Sequence, residues 1–196
     1  MFSGIIEGKA QLKELISKDD SFRMVFCSED LTFNDISIGG SIAVNGVCLT
    51  AIEVDSNTFI VDVSKETTTC SNLGLLEQES WVNIEKSLAL GDTINGHFVF
   101  GHVDHMAEVS AVIPDGNSTI MRFKTESSDS HLIAKKGSIA INGVSLTVNK
   151  LINHGFEVTI IPHTTETTIM SEYKPGTIVN IEFDMLARYV ERMLNK

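Results

Sequence analysis

Three cysteines, three prolines, one tryptophan and two tyrosines are all that the 196 residues contain of these types. The cysteines (Cys27, Cys48 and Cys70) are odd in number and lack motif spacing. This argues against a disulfide framework and favours a reducing compartment. Basic residues are also scarce: 15 Lys and Arg stand against 26 Asp and Glu, a formal net charge of -11 with a pI near 4.9. Nucleic acid and anionic membranes are bound through basic surface, so neither is an expected partner. No stretch approaches the ~20 apolar residues of a membrane span, and the opening residues carry no cationic segment followed by a long apolar run. There is no glycine-rich phosphate loop, no HExxH motif and no Ser-His-Asp signature, so nucleotide and hydrolase readings have no motif behind them. A soluble, cytoplasmic protein is the expectation.

What the chain does have is a repeat. Ser41-Ile42-Ala43-Val44-Asn45-Gly46-Val47-Cys48-Leu49-Thr50 returns as Ser138-Ile139-Ala140-Ile141-Asn142-Gly143-Val144-Ser145-Leu146-Thr147, with eight of ten positions identical. The same offset of 97 (41 to 138) carries Val82-Asn83-Ile84-Glu85 onto Val179-Asn180-Ile181-Glu182, Gly4 onto Gly101 and Ala10 onto Ala107. A register held over so long a span means two copies of one domain rather than a solenoid, whose repeats run to ~20–50 residues. The reading is two domains, 1–97 and 98–196, with 87–97 as the linker between them. Each is long enough to bury a core without disulfides.

β-branched residues and short alternating runs dominate both copies. Residues 41–54 read as a hairpin turning at Asn45-Gly46, a dipeptide suited to the positive φ angles of a type I′ turn, and Asn142-Gly143 repeats the device. Further strands are expected at 2–12, 22–28, 58–64 and 81–86, and at 99–110, 119–125, 156–161 and 178–183. Five or six short strands per copy predict an all-β protein of two small, closed or nearly closed barrels. Short helical turns are expected at 66–73 and 128–135. From Met185 onward, apolar residues at 185, 186, 189, 190, 193 and 194 form a helical stripe, with Asp184 at the N-cap position. This helix, 185–196, either packs on its own barrel or forms a seam between subunits.

Strand alternation sets Cys48 with Thr50 on one face, and Ser145 with Thr147 on the matching face of the second copy. These pairs make a polar ledge for a flat, hydrogen-bonding ring, although threonine also simply favours strands. Asp62 to Thr67 and Thr159 to Thr164 form a second matched pair of polar segments. The differences between copies are sharper: His102 replaces Ile5, Lys136 replaces Gly39, Ser145 replaces Cys48 and Asp184 replaces Ser87. Similar pockets with unequal jobs would look like this. His102 is the candidate acid–base group, a structural histidine being the other reading. His97, His102, Asp104 and His105 cluster in sequence but match no metal motif, and no metal site is expected.

These residues, taken together, resemble the riboflavin synthase family. Met1-Phe2-Ser3-Gly4-Ile5-Ile6 is similar to that family's Met-Phe-Thr-Gly-Ile opening. The doubled Asn-Gly-Val-Cys/Ser-Leu-Thr segments, Asn95-Gly96-His97-Phe98-Val99, Gly101-His102-Val103-Asp104, and Val179-Asn180-Ile181-Glu182 followed by Asp184 also look like it. The resemblance spans essentially the whole chain. It implies two six-stranded Greek-key barrels plus a C-terminal helix, assembled as a homotrimer through those helices. It implies a cofactor-free transferase that dismutates two molecules of 6,7-dimethyl-8-ribityllumazine, by transfer of a four-carbon unit, into riboflavin and 5-amino-6-ribitylaminouracil. This is the last step of riboflavin biosynthesis, and association with a lumazine synthase shell is a further possibility in the family. The active site lies between the first barrel of one subunit and the second barrel of its neighbour, each holding one lumazine.

By the same resemblance, Gly4, Ile5, Ile6, Cys48, Leu49 and Thr50 line the first pocket with Asp62, Val63, Ser64, Lys65, Glu66 and Thr67. The second pocket takes Gly101, His102 and Val103, Ser145, Leu146 and Thr147, and Thr159, Ile160, Ile161, Pro162, His163 and Thr164, with Lys136 reaching the partner's ligand. His102, Ser41, Cys48, Thr147 and Asp184 correspond to positions associated with catalysis: His102 for proton transfer, Ser41 or Cys48 to assist addition. Three places depart from the family pattern: Phe100 before Gly101-His102, the pair His105-Met106, and 165–171 at the rim of the second pocket. The alternative is a non-catalytic lumazine- or flavin-binding protein of the same fold.

Overall fold

Alternating apolar side chains bury one face of each strand. In a computed structural model, which describes residues 1–18, 20–125 and 128–194, these strands close into two rings. The first copy supplies β1 (Gly8–Lys18), β2 (Ser21–Cys27), β3 (Ser41–Val44), β4 (Val47–Val54), β5 (Thr58–Ser64), a short helix α1 (Lys65–Cys70) and β6 (Trp81–Lys86). The second supplies β7 (His105–Asp115), β8 (Ser118–Lys124), β9 (Ser138–Ile141), β10 (Val144–Ile152), β11 (Gly155–Ile160), α2 (Pro162–Thr167) and β12 (Ile178–Phe183). A C-terminal helix, α3 (Met185–Leu194), follows. Ring order is β1-β2-β5-β4-β3-β6 in the first barrel, and β7-β8-β11-β10-β9-β12 in the second. The two orders are the same Greek-key path drawn twice, every pairing antiparallel. Even the bulges recur at the repeat offset, between Leu12 and Glu14 and between Val109 and Ala111.

Each core is built from the same anchors. Phe26 stacks on Phe59 with ring centroids 5.2 Å apart, and Phe123 stacks on Phe156 at 5.4 Å. Both pairs are fully buried. Rings of this size contribute more than any aliphatic neighbour to the apolar area removed from water. Phe33 adds an edge-on contact to Phe59 in the first barrel.

The hairpins form as the sequence predicts, with Asn45 and Gly46 at φ 46° and 76°, and Asn142 and Gly143 at 45° and 82°. Their location is different from that of ordinary turns. Both tips are buried where the barrels meet, so tightly that a Cβ on Gly46 would lie 2.5 Å from the Gly143 nitrogen. The side chains of Asn83 and Asn180 satisfy backbone polar groups of this seam. Asn83 Nδ2 donates to the Asn142 carbonyl (2.9 Å), and Asn180 Nδ2 donates to the Asn45 carbonyl (2.8 Å). The Asn72 backbone N–H donates to Asn180 Oδ1 (2.6 Å), and that of Ile169 to Asn83 Oδ1 (2.8 Å). A buried seam left without these partners would be penalised by desolvation.

Several boundaries differ from the sequence reading. The strands expected from residue 2 and residue 99 begin at Gly8 and His105, and run on to Lys18 and Asp115. Residues 1–7 and 98–104 are extended arms that touch each other through one antiparallel bridge, Phe2 to Val99. The turn at 66–73 is resolved into α1 and a 3-10 turn at Asn72–Leu75, and that at 128–135 into a 3-10 turn at Ser128–Leu132. Helix α2 starts within Thr159 to Thr164, read only as a polar segment, and the 3-10 turn Ile169–Glu172 follows where no element was expected. Residues 195 and 196 of the expected terminal helix lie outside the described residues.

Candidate functional site

The two arms cross. Ile6, which precedes the first barrel, is packed into the core of the second, and Val103, its repeat equivalent, packs against the core of the first. Phe2 and Val99 exchange two backbone hydrogen bonds at the crossing (2.7 and 3.1 Å). Beyond it, the Gly4 carbonyl accepts from the Ser145 N–H (2.8 Å) and the Gly101 carbonyl accepts from the Cys48 N–H (2.9 Å). Both glycines have positive φ, 78° and 76°, and a Cβ would fall 2.6 Å from that of Ser145 or 2.5 Å from that of Cys48. Only glycine fits at these two contacts.

The arms are exchanged relative to the grouping that the resemblance implies. The Gly4–Ile6 arm lies against Ser145 of the second barrel, not against Cys48. The Gly101–Val103 arm, with His102, lies against Cys48 of the first. A repeat offset assigns each arm to the copy that follows it; it carries no information on which barrel the arm then joins.

Each ledge lies beyond the end of a ladder, where two strands of its closed barrel part. The β4–β5 ladder ends at Ala51–Val61, and its repeat, β10–β11, ends at Val148–Val158. Cys48 to Thr50 and Asp62 to Ser64 therefore flank an opening in the first barrel, as Ser145 to Thr147 and Thr159 to Ile161 do in the second. Because Cys48 gives its N–H to Gly101, strand alternation turns the Thr50 backbone the same way, towards the opening. Val63, Leu49 and Ile160 are buried inside the barrels, while Thr50, Asp62, Ser64, Thr147 and Ile161 are exposed. These segments put backbone donors and acceptors beside the buried side chains of Leu49, Val63 and Ile160.

The side chains around the first opening are unequal in freedom. Ser41 is paired with Thr50 across β3–β4 and borders a cleft of about 870 Å³ that it shares with Ile5, Glu7 and Lys86. Asp62 is held by Arg23 (2.9 Å) and Lys18 (3.2 Å), and the Arg23 hydrogen bond, with help from Lys18, brings its carboxyl down to about 2. Ser64 caps α1, accepting from the Thr67 N–H at 3.1 Å; Lys65 and Glu66 are exposed. Cys48 is half-buried and is a free thiol like Cys27 and Cys70. His102 is exposed on its arm, with the Phe100 ring 6.2 Å away and its carbonyl accepting from Arg188 Nη2 (3.4 Å).

Around the second opening, His97 Nδ1 and Ser145 Oγ share a hydrogen bond of 2.7 Å. Burial lowers the pKa of this imidazole, and the nearby Asp184 carboxylate opposes the shift. Asp184 also accepts from the Leu186 N–H (3.0 Å), capping α3 as expected. Pro162 opens α2, which places His163 and Thr164 on that helix. Lys136 is an exposed residue at φ 69° whose N–H donates to the Val148 carbonyl (2.8 Å). Three of the four residues weighed as a metal cluster have side-chain hydrogen-bond partners outside it. His97 meets Ser145, and His105 bonds Thr125 Oγ1 (2.6 Å). Asp104 accepts from the Phe183 N–H (2.8 Å) and pairs with Arg188.

Two residues missed by the sequence reading hold the arms. Glu85 accepts from the Ser3 N–H (2.7 Å), the Ser3 hydroxyl (2.9 Å) and the Gly4 N–H (3.0 Å). Glu182 accepts from the N–H groups of Phe100 (2.7 Å) and Gly101 (2.9 Å). Burial pushes both carboxyls upward in pKa, against the pull of these donors. The signal was present in the doubled Val-Asn-Ile-Glu, where an acidic residue recurs in an otherwise core-forming strand.

Comparison with known proteins identifies the family. The lumazine binding domain family matches residues 3–87 and again 100–184. Riboflavin synthase of Actinobacillus pleuropneumoniae is 41% identical over 196 residues, covering 100% of this chain and 91% of the relative. That of Bacillus subtilis (strain 168) is 39% identical over 197 residues, covering 100% and 91%. Among solved structures, LumP complexed with riboflavin superposes with a TM-score of 0.83 at 22% identity, covering 93% of this chain and 99% of LumP. LumP complexed with 6,7-dimethyl-8-(1'-D-ribityl) lumazine gives 0.81 at 21% identity, with the same coverage. These two likenesses speak to the fold. Two matched lumazine-binding domains and close relatives over the full length place this chain in the riboflavin synthase family.

Proposed function

We propose that the chain catalyses the riboflavin synthase reaction, a four-carbon transfer between two molecules of 6,7-dimethyl-8-ribityllumazine that yields riboflavin and 5-amino-6-ribitylaminouracil. The observation that carries this reading is the full-length identity to riboflavin synthases, 41% against 21–22% for LumP, on a scaffold with two matched ledges. Two identical substrates call for two similar binding places, and duplication supplies them. One ledge comprises Cys48–Thr50, Asp62–Thr67 and the Gly101–Val103 arm. The other comprises Ser145–Thr147, Thr159–Thr164 and the Gly4–Ile6 arm.

The chemistry needs a proton taken from the acidic C7 methyl of one lumazine and an addition to the ring of the other. His102, an exposed imidazole on the arm beside Cys48, is the group we assign to proton transfer. Cys48 and Ser41 lie on the same outer face of β3–β4 and assist addition. Thr147 and Asp184 serve the second ledge, and Lys136 reaches a ligand held by a neighbouring subunit. The reading includes a homotrimer in the cytoplasm. Helix α3 supports the assembly: none of its residues is buried, and Leu186, Tyr189, Val190, Met193 and Leu194 are each more than half exposed. A face of that kind is satisfied by a second apolar surface. Subunit contact then brings the first ledge of one chain to the second ledge of the next.

Incubating the purified protein with the lumazine as sole substrate tests the activity. Riboflavin absorbance growing with time is expected. A bound lumazine whose spectrum never converts would mark a binding protein instead.

A further inference from the structure

The Val-Asn-Ile-Glu motif occurs twice, and the reaction assigned above uses neither copy. Its glutamates are 3% and 4% exposed, at Glu85 and Glu182. Neither forms a direct ion pair with a cation among the described residues. A buried carboxylate in that position is disfavoured unless a geometry requires two acceptor oxygens. Here it does. The adjacent N–H groups of Phe100 and Gly101 converge on separate oxygens of Glu182. Those of Ser3 and Gly4 converge on Glu85, which also takes the Ser3 hydroxyl. Glutamine would offer one acceptor and point its NH₂ at an N–H.

We propose that Glu182 and Glu85 are positioning residues, each setting the ligand ledge of the opposite barrel: Glu182 fixes the Gly101–Val103 arm on Cys48, and Glu85 fixes the Gly4–Ile6 arm on Ser145. The connectivity is direct. Glu182 stands on β12 of the second barrel, and its donor Gly101 turns its carbonyl to Cys48 of the first. Glu85 stands on β6 of the first barrel, and its donor Gly4 turns its carbonyl to Ser145 of the second. Each ledge is thereby completed by an arm that the other barrel's carboxylate holds. The link to ligand binding rests on the proposed function; the link between carboxylate and arm does not.

Two readouts on the full-length chain separate these. In hydrogen exchange followed by mass spectrometry, Glu182→Gln is expected to speed exchange at the Phe100 and Gly101 amides by about tenfold or more while leaving those of Ser3 and Gly4 unchanged. Glu85→Gln is expected to do the reverse, in line with the loss of a charge-assisted hydrogen bond. In stopped-flow titration with 6,7-dimethyl-8-ribityllumazine, read before turnover, wild type should fill both ledges, and each Gln variant should weaken one of them roughly tenfold. Exchange that rises equally in both arms, or throughout both barrels, overturns the proposal in favour of general destabilisation. Unchanged lumazine binding beside a loosened arm overturns the positioning role. A wild type that binds no lumazine fails the functional reading, and the exchange pattern still decides the carboxylate–arm link. Should the Gln variants not fold, wild-type exchange decides it: the amides of Ser3, Gly4, Phe100 and Gly101 are expected to be protected, and rapid exchange there would overturn the link.

Discussion

His97 and Ser145 share a hydrogen bond of 2.7 Å beside the second opening, and His97 Nε2 is buried with no hydrogen-bond partner among the described residues. Protonating this ring in the folded protein would place a charge where water cannot reach it, which is why burial lowers its pKa. The sign follows from linkage. The unfolded chain takes up a proton near pH ~6.5 while the folded chain resists it. The resulting stability is fully present above pH ~6.5 and is lost as pH falls towards the folded pKa. Thermal melting from pH 7 to 5 should therefore drop more steeply for wild type than for His97→Gln. Parallel curves would show that His97 does not contribute in this window.

His102 offers a different kind of test, because it is exposed and its loss disturbs no packing. His102→Gln should leave lumazine affinity within a few fold and lower kcat by about two orders of magnitude, the range general acid–base groups supply. An unchanged kcat would remove His102 from the mechanism.

The interbarrel asparagines should behave as structural polar groups with large individual effects. Asn180→Ala leaves the Asn45 carbonyl and the Asn72 N–H unpaired in a buried seam. At about 1–3 kcal/mol for each buried group left unsatisfied, a loss of roughly 3 kcal/mol is expected. Denaturant titration measures it. A loss below ~1 kcal/mol would mean that water or a shifted side chain replaces the amide.

Helix α3 can be probed without disturbing the arm that it anchors. Arg188 pairs with Asp104 and touches the His102 carbonyl, so deleting the helix would confound assembly with site geometry. Val190→Glu with Met193→Glu keeps Arg188 and charges the exposed stripe. Light scattering should then show monomers that still bind lumazine but form little riboflavin. A fully active monomer would end the shared-site reading and leave α3 without an assembly role. For the unaltered chain, activity should fall on dilution by mass action.

Much of the fold was legible because local and global signals agreed. Asn-Gly turns between β-branched runs defined the hairpins, and the offset of 97 repeated strands, bulges and phenylalanine pairs alike. The arms were not legible. Phe2, Ile5 and Ile6 read as the start of a strand, yet Phe2 makes only a single bridge with Val99, and Ile6 is used in the other barrel's core. Periodicity describes which residues are apolar, and in an exchanged segment the core that receives them is set by tertiary contacts. Helix α2 was hidden for a related reason: threonines and a proline weigh against helix locally, while Pro162 at the first turn is compatible with one. Glu85 and Glu182 were visible as letters but not as clamps, since their partners are backbone amides, with the Ser3 hydroxyl at Glu85, that no sequence pattern marks. Of the proposed catalytic groups, the differences between copies marked His102, Cys48 and Asp184, and the family resemblance added Ser41 and Thr147; that the His102 arm lies against Cys48 follows only from the crossed arms.

The central claim is that two lumazines meet on one assembly and exchange a four-carbon unit. It is tested most directly by the product balance of the unaltered protein given 6,7-dimethyl-8-ribityllumazine alone and quenched at successive times. The account predicts one riboflavin and one 5-amino-6-ribitylaminouracil for every two lumazines consumed, at all times. Riboflavin without the matching pyrimidine, or lumazine that is bound but never consumed, would contradict it.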